Sequence, residues 1–230
     1  MTNLEFSHEM DVIYENINKG GAVGLKPYEK SVILTTAQEK LVQSLATSDL
    51  SIISSLVRTV NTPVDLTVIN KIDERAFSFK MPSAYLAILS EKAIHHTHAN
   101  PTLAQKVFYS VIPLTPIEYT ATQTKPYSYP PRRTAWRLIN SGENISNTLK
   151  RVEILGRPGK PLHEYRATYL VLPMPIILED LTGTYTIRGR AVETETNLVS
   201  SLHPMILEYA VTLAEKFYYD KYNTEEAPKE

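Results

Sequence analysis

The stretch Gly24-Leu-Lys-Pro-Tyr-Glu-Lys-Ser-Val-Ile-Leu-Thr-Thr-Ala-Gln-Glu-Lys-Leu-Val42 carries a strong helix signal. A glycine and a proline mark its start, and Thr36 stands three residues before Glu39, as Thr35 does before Gln38. Either pair can form a capping box, in which two side chains satisfy free backbone N–H groups at a helix start. Apolar residues then recur at helical spacing: Ala37, Leu41, Val42 and Leu45. We therefore predict a helix that ends near residues 47–48 and packs against other elements.

Two further helices are predicted near the ends of the chain. In the first, over residues 7–19, one apolar face is formed by Phe6, Met10, Ile13 and Ile17, and Gly20-Gly21 follows as a stop signal. The last helix starts near Ser201-Leu-His-Pro204, with a proline in its first turn and Ser200 or Ser201 as a cap. Its wide apolar face consists of Ile206, Leu207, Ala210, Val211, Leu213, Ala214, Phe217 and Tyr218.

Residues 50–190 have the character of strands. Alternation and β-branched content predict strands at 62–69, 76–81, 106–113 and 134–139. We expect 150–155 and 164–172 to form a strand pair around the turn 156–159, and 173–181 to break the second strand and return the chain. Residues 82–90 are predicted as a short helix that begins with proline, and 116–120 as a turn or short helix. Three prolines exclude a helix over 125–133.

The predicted fold class is α+β, with a helical core from the N- and C-terminal helices and a long β-rich middle extension. The predicted organisation assigns residues 1–49 and 191–222 to the helical core and 50–190 to the β-rich region. Residues 223–230 are charged and are predicted to be a disordered tail.

Composition excludes several classes of protein. The chain has 230 residues, a formal net charge of −1 and no cysteine, so disulfides, thiolate catalysis and cysteine-based zinc sites are impossible. A near-neutral charge argues against a general nucleic-acid-binding role, which needs a basic excess. No apolar run reaches the length of a membrane span, and the acidic first residues do not resemble a signal peptide.

Candidate chemistry is sparse. The group His95, His96 and His98 could ligate a metal, but no Asp or Glu follows it nearby, and a solvated loop that could lie at a subunit contact is the preferred interpretation. His203 lacks the paired histidine of a zinc protease helix. The acidic pairs are best explained as solvated surface: Glu179 with Asp180, and Glu193 with Glu195. Nucleotide-binding glycine motifs are absent, so no catalytic residue, cofactor or metal is assigned.

A basic and aromatic cluster is the main candidate interface. Tyrosine, tryptophan and arginine are enriched at the anchor positions of protein interfaces. They can also stack on bases and pair with phosphates, but the net charge favours a protein partner. The candidate interface residues, with two from the end of the last helix, are Tyr127, Tyr129, Arg132, Arg133, Trp136, Phe217 and Tyr218.

Four separated segments together resemble a known group of proteins. They are 28–42, 125–130 with 135–138, 165–181 and 202–214. In this order and spacing they are similar to the head–tail connector, or neck ring (adaptor), proteins of tailed phages of Bacteroidetes, including crAss-like phages. The resemblance covers about residues 8–220. The segment from His95 to His98 has no counterpart in it.

The resemblance implies a virion structural protein without enzymatic activity. Such adaptors commonly form closed rings of twelve copies below the portal protein, contact other neck or tail proteins and let genomic DNA pass through a channel during genome ejection. Ring closure needs heterologous, head-to-tail contacts. The implied location is the neck or tail region of the virion, after synthesis in the host bacterial cytoplasm and without a membrane partner. Another capsid- or tail-associated protein is the alternative, and a histidine-metal hydrolase is a distant one.

Overall fold

The chain folds as two units whose segments are interleaved along the sequence. The computed structural model describes residues 1–17, 24–67, 73, 75–98, 105–123, 129–138, 144–146 and 149–225, without the side chains of 16–17, 144–146 and 218–225. A helical unit combines residues 1–56 with residues from 172 onward, and a strand unit comprises 57–171. The strand unit is therefore inserted between the two halves of the helical unit.

Three long helices form the helical unit. They are α1 (Asn3–Ile17), α2 (Pro27–Ser48) and, after a 3-10 turn at Ser200–Leu202, α4 (His203–Glu225). Most of the apolar residues predicted to face a core do so: Phe6 and Met10 of α1 are buried, as are Ile206, Leu207, Ala210, Val211 and Ala214 of α4. Ile13 and Leu213 are only partly buried, and Phe217, predicted on the same face of α4, is 62% exposed. Hydrophobic periodicity thus located the buried face of each terminal helix correctly.

Helix α1 begins four residues before the predicted start at Ser7. The Glu5 carboxylate accepts a hydrogen bond from the Thr2 backbone N–H (2.7 Å), and the Glu5 N–H donates to the Thr2 hydroxyl (3.3 Å). This reciprocal arrangement is a capping box, and it fixes the helix start at Asn3. The predicted stop at Gly20-Gly21 lies outside the described residues.

Helix α2 begins two turns before the predicted caps, so the prediction from Thr35 and Thr36 was wrong. Pro27 occupies the first turn, where its missing N–H costs nothing, and the Glu29 carboxylate accepts from the Lys26 backbone N–H (2.9 Å). Thr36 lies in the middle of the helix and donates to the Val32 carbonyl (2.8 Å).

A polar stripe on α2 binds the backbone of an extended segment. Thr35 Oγ1 donates to the Ile176 carbonyl (3.2 Å) and accepts from the Ile176 N–H (3.1 Å). One turn earlier, Ser31 Oγ accepts from the Leu178 N–H (3.0 Å). At the next turn, Gln38 Nε2 donates to the Met174 carbonyl (2.7 Å). These side chains supply the backbone hydrogen bonds that a neighbouring strand would otherwise make. We call Ser31, Thr35 and Gln38 the α2 polar stripe.

Ion pairs hold α2 to the other parts of the helical unit. Lys30, which is buried, donates to Asp11 of α1 (2.6 Å). Arg188 forms a paired contact with the Glu39 carboxylate, and this contact raises the pKa of Arg188. Because residues 172–190 bind α2 in these ways, they belong to the helical unit and not to the predicted β-rich region of 50–190.

The strand unit is one mixed sheet. Its strands are β1 (Val57–Pro63), β2 (Ala76–Pro82), β3 (Tyr85–His96), β4 (Lys106–Leu114), β5 (Thr134–Leu138), β6 (Asn144–Ser146), β7 (Leu149–Leu155) and β8 (Glu164–Val171). The order is β1-β8-β3-β4-β5-β7-β2, with β6 also on β7. Only β4 and β5 pair in parallel among these strands, and α3 (Pro116–Gln123) lies between them in the chain.

The sheet curls so that its two edges approach each other. Just past β1, the Asp65 N–H donates to the Ser78 carbonyl of β2 (2.7 Å). Inside the curl, the fully buried Tyr165 packs at 5.6 Å from Phe79 between ring centroids, and its hydroxyl donates to Glu91 (2.6 Å). Burial and the neighbouring Glu91 carboxylate raise the pKa of Tyr165.

Three details of the predicted middle region were wrong. The strand predicted at 62–69 is displaced, because β1 ends at Pro63, residues 64–67 are not strand, and 68–69 lie outside the described residues. Residues 85–90 form the first half of β3 and not a short helix. Strands β7 and β8 exist as predicted but do not pair with each other, because β7 pairs with β2, β5 and β6 whereas β8 pairs with β1 and β3. A run of apolar residues shows where a strand is without showing its partner.

The prediction of an α+β fold with terminal helices and a β-rich middle is confirmed. Helix α4 continues through Glu225, so residues 223–225 of the predicted tail are helical, and 226–230 lie outside the described residues. Within the helices that the structure describes, none combines the length and apolar character needed to span a bilayer.

Candidate assembly surfaces

Three distant segments meet at the carboxyl end of β7. Register pairs Ala76 of β2 with Leu155 on one side of β7, and Trp136 of β5 with Leu155 on the other. Arg75 therefore lies beside the start of the β7–β8 loop, and the residues that lead into β5 lie beside Arg157 and Pro158. The sheet register, not sequence proximity, brings these residues together.

A cavity of about 260 Å³ opens at this meeting point. Its walls are largely apolar and include Phe77, Leu155 and Pro161. The Tyr129 ring lies at its edge, with the Arg157 guanidinium carbon 4.8 Å from the ring centroid. Cations at this distance are attracted to the face of the ring. Tyr129 is thus held in place by Arg157.

Basic side chains surround the cavity. Arg75, Arg157 and Lys160 line it, and Arg132 and Arg133 follow Tyr129 on the approach to β5 as exposed residues. We call Arg75, Phe77, Tyr129, Arg132, Arg133, Arg157 and Lys160 the basic patch. Three cations thus line the cavity, and Arg157 and Lys160 give it positive charge beyond the Arg75–Asp73 ion pair.

A buried acidic group fixes one edge of the basic patch. Arg75 contacts both carboxylate oxygens of Asp73 (3.0 and 2.7 Å), and the Tyr119 hydroxyl donates to the same carboxylate (2.5 Å). The Arg75 hydrogen bond, together with the bond from Tyr119, lowers the pKa of Asp73 to about 2. Asp73 therefore stays ionised at neutral pH and orients Arg75.

The structure divides the predicted interface residues between the two units. Tyr129 lines the cavity, and Arg132 and Arg133 are exposed residues that follow it in the chain, whereas Trp136 is half-buried against a small core of Ala76, Tyr119, Leu138 and Leu155. Phe217 is 62% exposed on α4 of the helical unit. Tyr127 and the Tyr218 side chain lie outside the described residues. The role of this set as an interface stays a prediction.

Phe217 ends a line of exposed apolar residues on α4. Met205 and Tyr209 are each 39% exposed and precede Phe217 by twelve and eight residues. Val199, just before the helix, is 46% exposed. Large apolar side chains in a line on one helix are a common feature of protein–protein contacts.

The outer face of α1 has the opposite charge to the basic patch. Glu5, Glu9 and Glu15 are exposed on it, and α1 contains no Lys or Arg. Val12, between Glu9 and Glu15, is 46% exposed, and Leu4, just before Glu5, is 81% exposed. We call Leu4, Glu5, His8, Glu9, Val12 and Glu15 the acidic face of α1. It presents negative charge and apolar area together.

The histidines predicted to lie in a solvated loop lie partly in β3. His95 is buried, with Nδ1 2.6 Å from the Pro161 carbonyl, and His98 is exposed just past the strand. The His96 ring stacks on His163, with centroids 4.9 Å apart. Burial, together with the charges of His96 and His95, lowers the pKa of His163. In the part of the chain that the structure describes, no group of three or more acidic or histidine side chains is arranged to hold a metal ion.

The other polar candidates form structural contacts in the helical unit. Glu193 accepts from Asn3 Nδ2 (3.0 Å), and Asp180 accepts from the Glu193 backbone N–H (2.7 Å). The buried His203 ring accepts from the Met1 amino group (2.8 Å) and faces the Leu198 carbonyl (3.3 Å). Burial, with the Met1 ammonium as a further cause, lowers the pKa of His203.

Sequence reasoning missed Arg75, Phe77, Arg157 and Lys160 as members of the basic patch. The segment 156–159 was interpreted only as turn punctuation, although Arg157 and Lys160 in a turn beside a strand end are a detectable basic signal. Their proximity to Tyr129 could not be deduced, because it depends on the pairing of β7 with two sequence-distant strands.

Comparisons with known proteins identify the family of the chain. A family model described as phage tail ring protein 3/4 matches residues 1–226. The chain is 30% identical over 233 residues to ring protein 4/5 of Bacteroides phage crAss001, covering 93% of this chain and 92% of that protein. It is 28% identical over 228 residues to ring protein 3 of the same phage, covering 93% and 95%. The predicted resemblance is confirmed, and the chain belongs to the phage tail ring protein 3/4 family of crAss-like phages.

Proposed function

We propose that this protein is a structural subunit of a ring in the head–tail connector, or neck, of a crAss-like phage. Copies of the chain, commonly twelve in such adaptors, close into a ring that joins the portal to other neck or tail proteins. Genomic DNA passes through the central channel during ejection. The subunit acts by assembly, in the virion, after synthesis in the host bacterial cytoplasm.

The extent of the family match supports this proposal most strongly, because ring proteins match the chain over nearly all of its length. Both units of the fold are thus shared with proteins whose names describe rings. Two chemically different surfaces, one basic and one acidic with apolar residues, suit a subunit that makes heterologous contacts.

A ring lower in the tail is the second candidate. The printed description of the matching family refers to the tail and not to the neck. The described contacts of the buried histidines support an assembly role over a histidine-dependent hydrolase, because His95 contacts the Pro161 carbonyl and His163 accepts from the His96 backbone N–H.

The experiment combines oligomer mass with location. Native mass spectrometry and negative-stain electron microscopy of the purified protein are expected to show closed rings, and a reconstruction of the virion is expected to place them next to the portal. A ring located further along the tail would favour the second candidate. Protein that stays monomeric at all concentrations and fails to join portal-containing particles would contradict both.

A further inference from the structure

We propose that the basic patch of one copy binds the acidic face of α1 of a second copy. This inference rests on the proposed ring function and names the two surfaces that make its repeating contact. The occupant is thus a segment of the same protein, with Val12, between Glu9 and Glu15, as the apolar anchor.

The basic patch combines an apolar cavity with positively charged side chains. A cavity of about 260 Å³ with apolar walls has room for one aliphatic side chain. Arg157 and Lys160 line its loop side, and Arg132 and Arg133 follow the Tyr129 that forms its edge. A partner that matches this surface carries an apolar anchor flanked by carboxylates. A DNA backbone supplies negative charge but nothing to fill an apolar cavity, so the surface favours a protein partner.

The acidic face of α1 matches the basic patch in charge and in apolar content. The helix carries its glutamates around Val12, and Leu4 lies on the same outer face. Glu9 and Glu15 are exposed, so they are available for a new contact. Opposite charges on the two surfaces would speed encounter and fix the orientation of the two copies.

Each copy carries both surfaces of the proposed contact, so the contact can repeat from copy to copy. The acidic face belongs to the helical unit and the basic patch to the strand unit, so each copy carries one of each. When one surface of each copy binds the other surface of the next copy, the contact is heterologous, and its repetition closes a ring if the rotation between copies divides a full turn evenly.

Charge reversal tests the contact. The acid-reversed variant carries Glu9→Lys and Glu15→Lys, and the base-reversed variant carries Arg157→Glu and Lys160→Glu. Each alone is expected to weaken self-association at least about a hundredfold in sedimentation velocity, because like charges then face each other. A mixture of the two is expected to assemble, since every contact regains opposite charges. The control variant carries Lys40→Glu and Arg190→Glu at exposed residues of the helical unit. It changes the net charge by the same amount as the base-reversed variant and is expected to assemble normally.

Cysteine cross-linking provides an independent readout, because the chain has no cysteine of its own. A Val12→Cys chain mixed with a Pro158→Cys chain is expected to form a disulfide-linked heterodimer on mild oxidation. The same Val12→Cys chain mixed with Lys40→Cys is expected to remain unlinked. Equal linkage in both mixtures would overturn the proposed contact.

The outcomes separate this inference from the ring function. If both reversed variants assemble as the control does, the contact is wrong although the ring function stands. If the unaltered protein never assembles, the ring function fails as well. If the base-reversed variant assembles normally but loses binding to a fluorescent DNA duplex, the basic patch is a DNA contact and the inference is overturned.

Discussion

Replacing Thr35 by valine tests whether the α2 polar stripe holds the helical unit together. Valine has nearly the shape of threonine, so the change removes the hydroxyl without leaving a large cavity. Thr35 is 4% exposed, and its hydroxyl is the partner of both the N–H and the carbonyl of Ile176. The substitution therefore leaves two buried backbone groups without that partner.

The expected cost follows from these two groups. A buried polar group that loses its partner costs about 1–3 kcal/mol, so Thr35→Val is expected to lower the free energy of unfolding of the helical unit by about 2–5 kcal/mol. Thr36→Val is the matched control, since that hydroxyl bonds only to the Val32 carbonyl of its own helix. Its effect is expected to stay within about 0.5 kcal/mol.

The assay follows the two units separately. Circular dichroism at 222 nm reports chiefly on the long helices, whereas the fluorescence of the single tryptophan, Trp136, reports on the strand unit. In urea, Thr35→Val is expected to move the dichroism transition to lower concentration and leave the fluorescence transition near that of the unaltered protein. Equal shifts for Thr35→Val and Thr36→Val, or a shift only in fluorescence, would refute the role of the stripe.

Three further outcomes are expected. The folded-state pKa values of His203 and His163 are lowered, so the unfolded chain binds more protons than the folded chain. The free energy of unfolding is therefore expected to fall as the pH drops below about 6.5. Urea midpoints measure this change, and a flat pH profile would contradict it. Tyr119→Phe removes the bond to Asp73 and should destabilise the strand unit by about 1–2 kcal/mol by Trp136 fluorescence, with no change in the dichroism transition. Gly156→Ala places a methyl group 3.1 Å from the Leu162 side chain; thermal unfolding should show a loss of about 1 kcal/mol, and a gain in stability would contradict the tight packing.

Sequence periodicity predicted the helices well because one buried face repeats every three to four residues. Phe6 with Met10, and Ile206 with Ala210, are buried as expected. The threonine caps failed for a different reason. Thr35 carries the residue type of a cap, but its hydroxyl serves a backbone 141 residues away, and no local pattern encodes such a partner.

The strands were harder to predict than the helices, and the surfaces harder still. Residues 82–90 begin with proline and continue as an apolar run, which fits a buried strand as well as a short helix. The basic patch needs Arg75, Tyr129 and Arg157 from three segments, and only the register of β2, β5 and β7 unites them. Residue types were therefore visible in the sequence, but their proximity was not.

The pairing of the first strand with the last has a consequence for the order of folding. Val57 pairs with Leu170, so the chain enters and leaves the strand unit at adjacent points. Until β1 and β8 meet, the two halves of the helical unit are the ends of a loop of more than a hundred residues, and closing such a loop costs about 4 kcal/mol of chain entropy. Once β1 and β8 pair, the segment that contains Ile176 is held close to α2, so its effective concentration there is high. We therefore expect the strand unit to fold first and to promote assembly of the helices. In refolding, the dichroism of the helical unit should develop after the fluorescence change of Trp136.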